Sequence, residues 1–256
     1  MTQPGPVALI TGASSPVGIG AAIARRLAHH GWRLLLVAEG PEASLAGVVA
    51  ECRAIARDPG KVEGLIADLR EASAAEAMVA RALDAFGRVD ALVNNAGMRL
   101  SKPFGSFTAT EFDEVVAVNL RAPFLTSQAV LPAMRRQGGG RIVHVASQLA
   151  SVAAQDRALY GLTKAALIHL TKCMALELAP ENILVNAVSP GPTATAPILS
   201  GAHDRPGVAE DRLRRVPAGR LGRPEEIAEV VAFLLTTEAT FLLGHDIVVD
   251  GGYTLH

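Results

Sequence analysis

Seven short apolar runs recur along the chain, and each but the last is followed by a stretch with helical spacing. The runs are Val7–Ile10, Arg33–Val37, Val62–Ile66, Ala91–Val93, Arg141–Val145, Ile183–Val188 and Asp246–Asp250. Strands separated by helices pair in parallel, because a parallel pair needs a long crossover and a hairpin cannot supply it. The predicted fold class is α/β, with a doubly wound, seven-stranded parallel sheet and helices on both faces.

At 256 residues the chain suits one domain over 1–256 with a large core. Hydrophobic residues make up 50% of it, yet no apolar run approaches the roughly 18 residues of a membrane span. Met1–Pro6 holds no basic region followed by a long apolar stretch, so no secretory signal is expected. A formal net charge of -1 gives no electrostatic reason to expect nucleic acid. The two cysteines, Cys52 and Cys173, have no metal or redox spacing and read as buried apolar residues. No cluster of His, Cys, Asp and Glu suggests a metal. A cytoplasmic setting is expected.

The first run feeds Thr11-Gly12-Ala13-Ser14-Ser15-Pro16-Val17-Gly18-Ile19-Gly20, and a helix follows with Ile23 and Leu27. Strand, glycine-rich turn and helix together can offer backbone N–H groups to a pyrophosphate. Glu39 closes the second strand about twenty residues on, where a carboxylate can bind a ribose hydroxyl. Helices are expected over 42–57, 73–86, 110–136 and 224–235. Thr110 with Asp113 resembles an N-cap box, and Pro123 and Pro132 should kink or break the third of these helices. Residues 196–219 lack periodicity and read as a mobile substrate-binding loop. Gly12, Asp68, Asn94, Ser147 and Pro190 all follow strand ends, and ligands bind there in such sheets.

The chemistry concentrates between Arg141 and Leu178. Ser147 closes an apolar run, and Tyr160 follows thirteen residues later with Lys164 four further on. On a helix, Tyr160 and Lys164 share one face. A tyrosine titrates near about 10, and a nearby ammonium favours the phenolate. Lowering that pKa by about three units takes roughly 4 kcal/mol of differential interaction. Ser147 can donate to a carbonyl or alkoxide oxygen. Such a trio moves a proton on or off an oxygen bound to carbon, and the hydride carrier must come from elsewhere.

With these residues in view, the chain resembles the classical short-chain dehydrogenases/reductases over nearly its whole length. The motifs are Thr11-Gly12 with Gly18-Ile19-Gly20, Asp68-Leu69, Asn94-Asn95-Ala96-Gly97, Asn119, Ser147, Tyr160-x-x-x-Lys164, Pro190-Gly191 and Val249-Asp250-Gly251-Gly252. The resemblance implies a single Rossmann domain and a nicotinamide cofactor. It casts Tyr160 as general acid-base, Lys164 as the group that lowers its pKa, Ser147 as partner of the substrate oxygen, and Asn119 as anchor of a water-linked relay. It places the cofactor against Gly12, Ser14, Ser15, Gly18, Ile19, Gly20, Glu39, Asp68, Leu69, Asn95, Ala96, Gly97, Tyr160, Lys164, Pro190, Gly191, Thr193 and Thr195. Asp68 matches the adenine contact and Thr195 the carboxamide contact. A homotetramer is also implied, and Val115, Val118, Leu125, Leu167 and Leu170 offer apolar helix surface for it. One departure stands out: five residues separate Gly12 from the next glycine instead of three. Either Pro16-Val17 is an insertion, which the usual helix length from Gly20 to Gly31 favours, or Pro16 replaces the middle glycine.

The expected activity is interconversion of a secondary alcohol and a ketone with NAD or NADP. NAD is favoured, because Glu39 would repel a 2′-phosphate and no basic residue lies within 13–17 or 38–44. The substrate is expected to meet Ser147, Gln148, Tyr160 and Leu199. Arg99, Gln155 and Arg157 could face the pocket, although solvated surface is the expected role of each arginine. His144 reads as a satisfied core histidine. Two other readings are a non-catalytic nucleotide sensor or scaffold, which would be expected to lack the tyrosine or lysine, and a sugar-nucleotide epimerase or dehydratase of the extended branch.

Overall fold

The first strand, β1 (Val7–Thr11), is buried along its whole length. Successive side chains of a strand point to opposite faces. Ala8 and Ile10 accordingly join one apolar cluster, and Val7 and Leu9 join another. The computed structural model describes residues 5–56, 58, 61–201 and 207–255, with the side chain of residue 212 left aside. Its other strands are β2 (Arg33–Ala38), β3 (Val62–Ile66), β4 (Ala91–Asn94), β5 (Gly140–Val145), β6 (Ile183–Pro190) and β7 (Asp246–Val249). They form a seven-stranded sheet in the order β3-β2-β1-β4-β5-β6-β7. Every pairing is parallel.

Helices cover both faces. α1 (Ile19–His29), α2 (Glu42–Ile55) and α9 (Pro224–Thr236) bring Ile23, Leu27, Cys52 and Val231 onto the Ala8 and Ile10 side. α3 (Ser73–Phe86), α5 (Ala122–Gln137) and α6 (Ala158–Leu178) bring Met78, Val130, Met134 and Leu178 onto the Val7 and Leu9 side. Each fully buried Leu or Ile contributes about 1.5–3 kcal/mol. The chain runs from β1 out to β3, then returns to lay β4 against the free side of β1. This reversal opens a crevice at the carboxyl ends of β1 and β4, where doubly wound sheets bind ligands.

The long helix expected over 110–136 is not continuous. α4 (Ala109–Val116) gives way to a π-helical turn at Ala117–Arg121 before α5 begins. Pro123 explains the turn. It has no N–H to donate to the carbonyl of Asn119 four residues earlier, so the α-helical ladder opens there. The cap of α4 is Thr108, not Thr110: its hydroxyl accepts from the Glu111 N–H, and Glu111 bonds back to the Thr108 N–H at 2.9 Å. Within 196–219 the described residues form two short helices, α7 (Ala196–Ser200) and α8 (Val208–Arg214). His203 and Asp204 of that loop, Arg57 of the second expected helix, and Met1–Pro4 lie outside the described residues.

Cys52 is buried as expected, whereas Cys173 is exposed. Val115 and Leu167 are buried in their own subunit, so they offer no surface to a partner. No helix among the described residues is long and apolar enough to cross a membrane.

Candidate active site

At the end of β1 the chain turns through Gly12, which has φ +71°. Thr11 Oγ1 accepts from the N–H groups of Asn95 and Ala96 at 3.1 Å each. The Asn95 amide returns the link, donating to Thr11 O at 2.9 Å and Gly12 O at 3.0 Å. Asn95 is therefore a latch between the glycine turn and the end of β4. A Cβ on Gly12 would lie 2.7 Å from Ala96 Cα, and one on Gly20 would lie 2.6 Å from Asn95 Nδ2. Pro16 and Val17 occupy a turn closed by Gly18 N–H to Ser15 O at 2.9 Å. Proline pre-sets the backbone for such a turn. α1 then starts from Gly18 with no side-chain cap and no acid in its first turn. Its N–H groups and positive dipole end face the crevice as a phosphate cradle, and these residues fit a dinucleotide.

Ser147 stands just beyond β5, 5% exposed. Its hydroxyl accepts from Leu149 N–H at 3.2 Å and donates to Gln148 Oε1 at 3.1 Å. Tyr160 and Lys164 come from the first turns of α6. Lys164 is buried, and its ammonium donates to Val145 O at 2.8 Å while lying 5.8 Å from the Tyr160 ring centroid. Asn119 is fully buried in the π-helical turn. Its amide donates to Met98 O and to Thr163 Oγ1, and its Oδ1 accepts from Met98 N–H at 2.7 Å. Asn119 thus ties the β4 loop to α6 and holds the turn that carries Tyr160.

Burial pushes the Tyr160 phenol above its ordinary pKa, while a hydrogen bond with Ser147 and the charges of Arg99 and Arg157 pull it down. In this geometry those three groups, and not Lys164, oppose burial. Burial lowers Lys164 from 10.5 to about 8. Between these two values the unfolded chain holds a proton that the fold does not, so stability rises with pH through that window. Below pH about 8 the cost of the buried ammonium is present in full. At about 1.4 kcal/mol per unit the gain is about 3 kcal/mol. Denaturant unfolding at about pH 7.5 and about pH 10 is expected to show a more positive change of stability with pH in the wild type than in Lys164→Met, because Cys52 and Tyr160, both raised by burial, contribute the opposite slope in both proteins. Equal pH slopes in the two proteins would remove Lys164 as the source.

His144 is not fully satisfied. Asn94 Nδ2 meets its Nδ1 at 3.2 Å, but its Nε2 is buried without a hydrogen-bond partner. Burial, reinforced by Lys164, depresses its pKa to about 3, so the ring is neutral.

A cation stands beside Glu39. The Arg70 guanidinium pairs with Glu39 and also with Asp68, at 2.8 Å from Asp68 Oδ2. The expectation that a 2′-phosphate would meet Glu39 with no cation nearby is therefore overturned. β2 and β3 are sheet neighbours, so the turn after β3 delivers Arg70 to the end of β2. Hydrogen bonds and charge from Arg70 hold the Asp68 carboxyl below the usual carboxylate range.

One cleft of about 450 Å³ gathers Gly12, Ser15, Gly18, Ile19, Asn95, Ala96, Gly97, Ser147, Gln148, Tyr160, Lys164, Pro190, Gly191, Thr193 and Thr195. Ser14, Gly20, Glu39, Asp68, Leu69 and Asn119 stand outside its wall. Leu199 also lies outside it, 61% exposed, while the neighbouring Ile198 is on the wall. The expectation of solvated surface fails for Arg157, which is 8% exposed and lines the cleft, and Arg99 lines it too. Tyr253, near the chain end and on the same wall, was carried by no motif.

The family model described as enoyl-(acyl carrier protein) reductase matches residues 12–254. D-threitol dehydrogenase of Mycolicibacterium smegmatis is 37% identical, over 98% of this chain and 94% of that protein. The chain belongs to the short-chain dehydrogenase/reductase family. A 3-ketoacyl-(acyl-carrier-protein) reductase from Brucella melitensis, complexed with NADH, superposes with TM-score 0.88 at 33% identity, covering 99% and 100% of the two chains. A structure from Beutenbergia cavernae with NADP bound at low occupancy gives 0.89 at 34%, covering 100% and 99%. This short-chain dehydrogenase/reductase is an NAD(P)-dependent oxidoreductase acting between CH–OH and C=O groups.

Proposed function

We propose that Ser147, Tyr160, Lys164 and Asn119 carry the interconversion of a secondary alcohol and a ketone. The observation that supports this most is the single cleft joining Tyr160 and Ser147 to the glycine turn. Gly12, Ser15, Gly18 and Ile19 would hold the dinucleotide, and a nicotinamide bound there would supply or accept the hydride of the substrate carbon. Ser147 holds the substrate oxygen, and Tyr160 gives that oxygen a proton in reduction or takes it back in oxidation. A phenol held protonated by burial favours the donating role at neutral pH. Lys164 fixes the β5 end through Val145 O, and Asn119 holds α6 in place.

NAD remains the favoured cofactor, because Glu39 and Asp68 share one guanidinium and the corner stays acidic. The setting is cytoplasmic. The deciding experiment is a screen of alcohols with oxidised cofactor and of ketones with reduced cofactor, run with both NAD and NADP. Reduction of enoyl thioesters but no carbonyl would overturn the reading, and tighter binding of NADPH than NADH would overturn the preference.

The assembly is a homotetramer using two faces. Phe112, Phe124, Leu162 and Leu176 are exposed along α4, α5 and α6. β7 is an open sheet edge with Val248, Phe241 and Leu255 exposed at that end of the molecule. Apolar faces and open edges call for cover. Sedimentation at micromolar concentration is expected to give a tetramer, and a monomer would discard it.

A further inference from the structure

Glu39 lies just beyond β2, and its side chain is 61% exposed. A long exposed side chain at such a place keeps much of its rotamer freedom unless another group holds it. Here Arg70 does. Its guanidinium pairs with Glu39 through Nη2 and is itself pinned on Asp68, with Nε donating to Asp68 Oδ1 at 2.9 Å and to Oδ2 at 3.0 Å. Asp68 Oδ1 also accepts from the Arg70 N–H at 2.9 Å, which fixes the turn that carries the guanidinium. The backbone sets the reach, because Ala38 pairs with Ile66 in the sheet and Ala67 N–H donates to Ala38 O at 2.9 Å. On its other side β2 meets the glycine turn, where Gly12 N–H donates to Val37 O at 2.8 Å. The clamp on Glu39 therefore stands beside the phosphate cradle.

We infer that Arg70 is a positioning residue for the cofactor: it holds the Glu39 carboxylate at the end of β2, where that carboxylate receives the adenosine ribose hydroxyls and so selects NAD. This role rests on the oxidoreductase reading and on its NAD preference. Guanidinium suits it, because one rigid fork can span two carboxylates, whereas a lysine ammonium sits on a flexible stem. An exposed ion pair contributes little to stability. The effect of the clamp falls on the ligand instead, since a carboxylate that is already ordered has less freedom to lose on binding. The opposite role, Arg70 as receiver of a 2′-phosphate, is opposed by charge. The carboxylates of Asp68, Glu39 and Glu114 act on the Arg70 charge, and the Arg121 guanidinium donates to Arg70 O at 2.5 Å, so acid outnumbers base at this corner. A 2′-phosphate there would have to displace Glu39 from its cation.

The test reads binding and needs no turnover. NADH, NADPH and the 2′-deoxyadenosine analogue of NADH are titrated by fluorescence into the wild type, Arg70→Met, Arg70→Lys, Glu39→Ala and the double variant Glu39→Ala with Arg70→Met. The ratio of NADH affinity to that of the deoxy analogue reports the ribose hydroxyl alone. It should fall at least about threefold in Arg70→Met, the scale of ordering one long side chain. Arg70→Lys should lie between Arg70→Met and the wild type. Glu39→Ala should lower the ratio too, and adding Arg70→Met should lower it no further, as expected of two groups acting as one unit. Should Arg70→Met fail to fold, Arg70→Lys decides. A ratio that stays at the wild-type value while both nucleotides weaken equally marks a merely structural arginine and overturns the inference. So does a loss of NADPH affinity of about tenfold or more with NADH untouched, the mark of a phosphate receiver. A ratio that follows Glu39 but not Arg70 leaves the NAD preference standing and removes Arg70 alone. Tighter binding of NADPH than NADH by the wild type sinks the preference and the inference together, and absence of binding of either sinks the oxidoreductase reading itself.

Discussion

Replacing Tyr160 with phenylalanine is expected to lower turnover by at least about a hundredfold, the usual loss when a general acid-base is removed. The variant keeps the ring over which the Lys164 ammonium lies at 5.8 Å. It deletes only the hydroxyl that Ser147 contacts and that burial keeps protonated. The glycine turn, the β4 latch and the start of α1 do not touch this hydroxyl, so the folded fraction and cofactor affinity should stay near wild-type values. Stopped-flow turnover with a saturating substrate, alongside cofactor titration by fluorescence, checks both halves. A phenylalanine variant with near-normal turnover would take Tyr160 out of its assigned role.

Gly12→Ala is expected to lower stability by about 3 kcal/mol. Alanine in the left-handed region costs about 1–2 kcal/mol by itself, and Gly12 has φ +71°. Its Cβ would also lie 2.7 Å from Ala96 Cα, which neither backbone can accept without moving. Moving them breaks the latch that Thr11 and Asn95 form. At about 2–4 °C per kcal/mol, Tm should fall by about 6–12 °C. Cofactor affinity should fall more than about tenfold, because the cradle is built on this contact. Gly31→Ala is the control: Gly31 has φ +80° and its Cβ would meet nothing within 4 Å, so it carries the backbone cost alone. Equal losses of Tm in the two variants would show that the Ala96 contact contributes nothing.

Much of the site was legible because its residues sit at strand ends, and strand ends follow from local pattern. Ser147 closes β5, and Tyr160 and Lys164 share a helix face, so spacing alone brought them together. The π-helical turn had a sequence signal as well. Pro123 stands four residues after Asn119, the spacing that removes one α-helical hydrogen bond, yet the sequence suggested only a kink or break near it. Thr110 with Asp113 has the form of a cap box, but Glu111 reaches back to Thr108, and the cap lies two residues earlier. Cys173 and Leu162 show the limit of periodicity: both lie on α6, and both are exposed on a face that the sheet does not cover.

By itself the sequence determined the order of the strands and of the helices that cover the sheet, the parallel sheet, and the edge on which the chemistry lies. Hydrogen bonding within a helix and alternation along a strand act over a few residues, so they can be read from the chain. Only the tertiary structure decided which charges meet. Arg70 reaches Glu39 across 31 positions because β2 and β3 are neighbours in the sheet. Arg157 and Arg99 share a cleft wall because α6 packs beside the loop after β4. Such pairings depend on strand order and on helix placement over the sheet, and no local spacing in the chain encodes them.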